Sequence, residues 1–298
     1  MKLGVHLVNF EFTGGSAAIA PTLARAGAAA EQAGLTNVSV MDHYFPLEGM
    51  GRVDAPMLEG YTTLAFLAAH TRTVELQMLV TGVTYRHPGL LAKIVSTLDV
   101  LSDGRALLGL GAAWYEREHV ALGVPFPPVA ERFERLEETL RIVRQMWSED
   151  DGPFAGKHYQ LAETINAPQP LGPVPIMIGG GGERKTLRLV AKYADATNLF
   201  ANDQLPPQSI RAKLDVLARH CDREEVDYDQ IRKTILWAAP LIPDAAGGAD
   251  FVRRMTAYAR VGIEEVHVMP MAGEPVGFID SLGRHVVPGL DQIAPPGR

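Results

Sequence analysis

Residues 74–119 read VELQMLVTGVTYRHPGLLAKIVSTLDVLSDGRALLGLGAAWYEREH, which spells strand, helix, strand. Two apolar runs long enough to be buried on both faces flank a helical crossover, the arrangement of parallel strands. The spacing predicts the helix over 88–102. Pro88 suits its first turn, and Asp103-Gly104 closes it where glycine takes up the left-handed conformation. The second strand, RALLGLGAAW, sheds its side chains at Gly109, Gly111, Ala112 and Ala113 and ends on Trp114. Bare backbone at a strand's carboxyl end lets something flat or bulky lie against it, so a ligand is expected there. Trp114, coming after these small residues, is expected to wall that pocket rather than fill the core.

Working outward, the same alternation runs through the chain. Strands are predicted at 3–9, 38–41, 175–178, 197–200, 235–242 and 265–269, beside the two above. Helices are predicted at 17–33, 59–70, 129–147, 184–193, 208–221, 249–261 and 276–287. Residues 115–123 read as a short connection, and the Gly- and Pro-rich segment 150–174 as an inserted hairpin. Eight strand–helix repeats without a reversal favour closure into an α/β (β/α)8 TIM barrel over a doubly wound open sheet. At 298 residues, the whole of 1–298 fits one such domain.

Composition removes several function classes. The net charge of −7, without a dense Lys/Arg run, speaks against nucleic acid as a partner. No apolar run has the ~20 residues of a membrane span. MKLGVHLVNF reads as a first strand and not as a signal peptide, so the cytoplasm is the expected compartment. Cys221 is the single cysteine, which rules out an intrachain disulfide. Ser102, Ser148 and Ser209 lack the context of a nucleophile elbow. His119, with Glu116 and Glu118, has no second cluster of ligand spacing to complete a metal site, and no metal is expected.

In a barrel the chemistry belongs at the carboxyl ends of the strands. Asp42-His43 follows the second strand directly. A carboxylate beside a histidine can fix its tautomer for proton transfer; the alternative is a turn cap and a solvated loop residue. After the fifth strand come Gly179-Gly180-Gly181-Gly182 and then Glu183, Arg184 and Lys185. Converging amides at a helix start favour an anion such as a phosphate, whereas a tight turn would need only one or two glycines. His6 and His267 lie within strands and read as satisfied core or lumen residues, and His87 belongs to a turn.

Four stretches in order, MDHYFP, LVTGVTYRHP, DVLSDGRALLGLGAAWYEREH and IGGGGERKTLRLVAKYAD, resemble the bacterial luciferase-like flavin and deazaflavin oxidoreductases. Within these, the chain is similar to the branch that uses the 8-hydroxy-5-deazaflavin coenzyme F420. The resemblance covers nearly the whole chain. It implies a (β/α)8 barrel, usually homodimeric, with a flat tricyclic ring across the carboxyl ends of the strands. By the same resemblance Asp42 and His43 lie near the ring, and Leu79, Val80 and Thr81 form a bulged strand end, often with a non-prolyl cis peptide, behind it. Gly111, Ala112 and Trp114 border the cofactor, and Gly180, Gly181, Gly182, Glu183 and Arg184 hold its phosphate. Members acting on sugar phosphates or secondary alcohols carry a Trp near the position of Leu47 and a Glu where this chain has Trp114, so those substrates are not expected.

The resulting expectation is an F420-dependent enzyme that moves a hydride between the ring carbon C5 and a small organic substrate, with His43 handling the proton. Arg52, Arg86 and Arg117 are candidates for the cofactor's anionic tail, and the loops 45–58 and 150–174 for the substrate pocket. A separate reductase or F420-reducing enzyme is the expected supplier of reduced cofactor. The alternatives are an FMN-dependent two-component monooxygenase, a cofactor-free barrel isomerase or lyase, and a non-catalytic flavin-binding protein.

Overall fold

In the computed structural model, which describes residues 1–271 and 273–294, eight parallel staves close into a ring. They are β1 (Lys2–Leu7), β2 (Asn37–Val40), β3 (Glu75–Met78, resuming at Thr81–Gly82), β4 (Ala106–Gly111), β5 (Ile176–Gly179), β6 (Ala196–Ala201), β7 (Arg232–Trp237) and β8 (Glu265–Val268). The last stave returns to the first with Leu3 opposite Val266. Around them run α1 (Ser16–Gln32), α2 (Gly60–His70), α3 (Pro88–Leu101), α4 (Glu116–Leu122), α5 (Val129–Met146), α6 (Thr186–Tyr193), α7 (Pro207–Glu224), α8 (Ala245–Arg260), α9 (Pro275–His285) and α10 (Val287–Leu290). This is the (β/α)8 barrel that the alternation predicts.

Alternate residues of each stave face opposite ways. Leu3, Val5 and Leu7, Val38 and Val40, Leu76 and Met78, and Leu108 and Leu110 join one buried cluster with the helices. Burying each such side chain contributes roughly 2 kcal/mol. The inward residues divide into two kinds. Leu107, Met177 and Ala196 form a small apolar cluster with Leu79. Across from them the lumen is polar: His6 Nδ1 lies 2.9 Å from Ser39 Oγ, Gln77 donates to Asn37 at 3.2 Å, and Asn198 donates to Thr234 at 2.8 Å. His267 is in this half but is not satisfied as expected. Neither ring nitrogen has a hydrogen-bond partner among the described residues, and its nearest carboxylate oxygen, on Glu265, is 3.8 Å away.

Several elements differ from the sequence reading. The connection 115–123 contains α4, too short to show a periodic pattern. The stave β7 runs over Arg232–Trp237, not over the predicted 235–242: it begins earlier, where its first inward side chains are polar, and ends five residues sooner. The helix α6 starts at Thr186, so Glu183, Arg184 and Lys185 extend the glycine-rich bend. Within 150–174 the predicted hairpin is present as Phe154–Ala155 antiparallel to Gln160–Leu161. Glu138 of α5 anchors it by accepting N–H bonds from Lys157, His158 and Tyr159, and Asn166 donates to Ser96 of α3.

Candidate functional site

A cavity of about 650 Å³ opens at the carboxyl ends of the staves. Asp42, His43, Leu79, Val80, Thr81, Gly111, Ala112, Trp114 and Gly180 all line it, as do His6, Tyr85, Asn198, Phe200 and four methionines. Leu47 and Met50 represent the loop 45–58, but no residue of 150–174 reaches the cavity. The hairpin is held against α3 and α5 instead, so the expectation that it shapes the pocket is corrected. Trp114 stands at the mouth, 64% exposed, with its ring edge-on to His43 at 5.7 Å.

His43 does have a carboxylate partner, but not the adjacent Asp42. Its Nδ1 lies 3.0 Å from Oε2 of Glu118, a fully buried residue of α4. The same carboxylate accepts from the Tyr85 hydroxyl at 2.6 Å and from the N–H groups of Tyr44 and Phe45 at 2.7 and 2.8 Å. Burial pushes the Glu118 carboxyl up, but the bonds from His43, Tyr85 and Phe45 outweigh it and hold the group below the ordinary carboxylate range. An ionised carboxylate only accepts, so Nδ1 is the protonated nitrogen of neutral His43 and Nε2 is left with a lone pair. Glu118 was missed as a site residue because it lies in a short helix and nothing in EREHVAL marks which glutamate turns inward.

Asp42 serves the frame. Its carboxylate accepts from Gly82 N–H at 2.9 Å and from Arg86 Nη1 at 2.8 Å, while Arg86 Nη2 reaches Glu59 at 2.5 Å. The Arg86 side chain is 10% exposed and tied to two carboxylates, which corrects its candidacy for a cofactor tail. Arg52 is open at 68% exposure and pairs with Asp54 and Glu11. Arg117 lies over the Phe45 ring and donates to the Tyr115 hydroxyl.

Between its two halves β3 is interrupted at Leu79–Val80, whose peptide is cis. The bulge delivers Val80 to the cavity wall. A Cβ at Gly111 would sit 2.8 Å from Val80 Cγ2, one at Gly179 3.0 Å from the same side chain, and one at Gly109 2.1 Å from the Met78 carbonyl oxygen. The bare backbone of β4 therefore makes room for the chain's own bulge. Reading Gly109 and Gly111 as direct ligand contacts is corrected for Gly109; Gly111 reaches the cavity with Val80 beside it.

The glycine run sorts by residue. Gly180 has φ of 115° and donates to the Asn198 carbonyl. A Cβ on Gly182 would crowd Thr186 Oγ1 at 2.8 Å, whereas one on Gly181 meets nothing closer than 3.7 Å. No packing among the described residues requires glycine at 181. The N–H groups of Gly181, Gly182, Glu183 and Arg184 have no backbone acceptor among the described residues. These four lie outside the cavity lining, beyond Gly180 at its edge. Four consecutive open donors ahead of a helix suit a phosphate. The Glu183 side chain turns to Lys213 at 2.7 Å, leaving its amide as the relevant donor.

The other sequence candidates are structural. His119 is buried, with Nε2 2.6 Å from Thr84 Oγ1 and its ring stacked on Tyr85. His87 caps α3 by accepting from Gly89 N–H. Cys221 is buried, and burial pushes its thiol up to about 11, away from reactivity.

The site thus combines an apolar cavity at the carboxyl face of the barrel, a carboxylate-held histidine inside it and a row of amides without backbone acceptors beyond its edge. Residues 1–245 match the family described as luciferase-like monooxygenase, and the chain belongs to that family. It is 35% identical over 195 residues to an F420-dependent glucose-6-phosphate dehydrogenase of Kineococcus radiotolerans, a match covering 65% of this chain and 53% of that one. A protein of the same description from Nakamurella multipartita is 31% identical over 249 residues, covering 76% of this chain and 71% of that one. The chain spans about half the length of several curated relatives it matches. Among solved structures, an F420-dependent secondary alcohol dehydrogenase in complex with an F420-acetone adduct superposes with a TM-score of 0.81 at 16% identity, covering 97% of this chain and 98% of that one. That likeness establishes the shared fold.

Proposed function

We propose that this chain is an F420-dependent oxidoreductase that moves a hydride between the deazaflavin C5 and a small organic molecule. The observation that carries the reading is the joint placement of a buried-carboxylate-held His43 inside the cavity and four open N–H groups, Gly181 to Arg184, at its edge. The residues fit the cofactor: Val80 and Ala112 offer a flat apolar bed, and the glycine loop offers amides to a phosphate. Bound F420 supplies the two-electron chemistry, which no side chain here provides.

The chain's part is orientation and proton handling. Glu118 fixes the His43 ring, so that Nε2 accepts a proton when the ring is neutral and donates one when it is charged. Asp42 and Arg86 pin β2 to the resumed end of β3, keeping Val80 in the wall. Trp114 and Phe200 narrow the mouth and help to exclude water. A homodimer, a separate enzyme that reduces F420 and a cytoplasmic setting accompany this reading; no helix among the described residues is long and apolar enough to cross a membrane.

The test is to titrate the purified protein separately with F420 and with FMN, following the quenching of each cofactor's own fluorescence. Tight, saturable quenching of F420 with weak response from FMN supports the proposal. The reverse assigns an FMN-dependent monooxygenase instead, and retention of either without turnover assigns a flavin-binding protein.

A further inference from the structure

No lysine or arginine lines the cavity among the described residues. Cations bonded to lining residues are already engaged: Arg86 by Asp42 and Glu59, Arg132 by the Ala113 carbonyl at 2.6 Å, and Arg117 by the Tyr115 hydroxyl. Of the lining groups that could carry positive charge, His6 is held neutral by burial and by the neighbouring His267 and His43, with a pKa lowered to about 3. His43 has one nitrogen committed to Glu118. The other lining side chains are mostly apolar, with Met41, Met50, Met269, Met271, Leu236 and Phe200 among them; the polar ones, Thr81, Tyr85, Tyr115 and Asn198, carry no positive charge, and the one carboxylate, Asp42, is held by Arg86.

We infer that the second reactant at this site is a neutral, apolar molecule recognised by thioether, aliphatic and aromatic contacts and not by charge. The inference rests on the function proposed above and adds the class of substrate. A phosphate or carboxylate brought into this cavity would lose water without gaining an arginine or lysine, the groups with which sites for such anions offset that loss. Four methionines favour breadth over fit, because unbranched thioethers repack around ligands of different shape. The exposed Phe200, at 58%, and Trp114 extend the apolar surface to the rim.

The experiment uses protein loaded with F420, with loading verified by fluorescence quenching, and measures Kd by calorimetry for 2-butanone, 2-hexanone and 2-octanone beside levulinate and glucose 6-phosphate. Each added methylene is expected to tighten binding about threefold, and neither anion is expected to bind more tightly than 2-butanone. In Phe200→Lys, a substitution at an exposed rim position, levulinate should gain about tenfold and 2-octanone should weaken. A flat ketone series, or an anion preferred by the unaltered protein, overturns the inference while leaving the F420 assignment intact. Absence of F420 quenching overturns both.

Discussion

His43 and Glu118 are bound to each other at 3.0 Å although α4, which carries the glutamate, lies two barrel staves and two helices away along the chain. The relationship makes α4 part of the site: it closes over the turn after β2 and gives His43, Tyr85 and two backbone amides a single acceptor.

Glu118→Gln leaves one acceptor oxygen and puts an amide donor where donors already converge. The variant is expected to lose about 1–3 kcal/mol of stability, the cost of unpaired buried donors. Turnover is expected to fall about 10- to 100-fold while F420 affinity holds, as when an orienting partner of a histidine is removed. Urea denaturation, fluorescence titration and single-turnover rates read the three quantities. Wild-type turnover in Glu118→Gln contradicts the orienting role.

His43→Ala removes the proton-handling group itself. Turnover should drop about 10²- to 10⁴-fold, with F420 quenching largely unchanged because the phosphate and ring contacts come from other residues. Unchanged turnover would dismiss His43 from the chemistry.

The Val80 socket predicts a coupled pair. Gly111→Ala places a methyl 2.8 Å from Val80 Cγ2 and is expected to cost about 1–3 kcal/mol. Adding Val80→Ala should recover about 1 kcal/mol relative to the sum of the single changes. Gly109→Ala meets the Met78 carbonyl oxygen, which cannot move aside like a side chain, so Val80→Ala should not rescue it. Strict additivity at Gly111 and Val80 would contradict the packing described.

The barrel lumen predicts a pH dependence. Burial lowers the pKa of His6 and of His267 to about 3; His267 and His43 add to the effect at His6, and Arg232 adds to it at His267. Below pH 6.5 the unfolded chain protonates both rings and the folded chain does not until about 3. Stability is therefore full above 6.5 and is lost on acidification through that window, by about 1.4 kcal/mol per pH unit for each ring. Urea midpoints measured from pH 7 to pH 4.5 should fall accordingly, and His267→Gln should flatten the slope. A midpoint independent of pH in this range would refute it.

Much of this was legible in the sequence, for identifiable reasons. The stave ALLGLG announces itself because its side chains are apolar or absent on both faces, and VELQM because its outward Leu76 and Met78 are apolar. Asp42, His43, Val80, Trp114 and the glycine loop stand at strand ends, where a barrel places its chemistry. What stayed hidden depended on pairing across space. Asp42 is adjacent to His43 in sequence, yet its carboxylate goes to Arg86 and Gly82, and His43 takes Glu118 from a different loop. The glycines of β4 were conspicuous, but only the position of Val80 discloses that the chain fills most of the gap itself. The start of β7 was obscured because an inward Arg232 and Thr234 look like loop residues until the polar half of the lumen is known.

Gly181 permits the most direct test of the central claim, that the loop's amides hold the phosphate of a cofactor lying in the cavity. A Cβ there meets nothing closer than 3.7 Å among the described residues, so Gly181→Val should leave stability within about 0.5 kcal/mol of wild type. F420 affinity, followed by fluorescence quenching, should fall about tenfold or more, equal to at least 1.4 kcal/mol. Unchanged F420 affinity in a normally folded Gly181→Val protein would contradict the account.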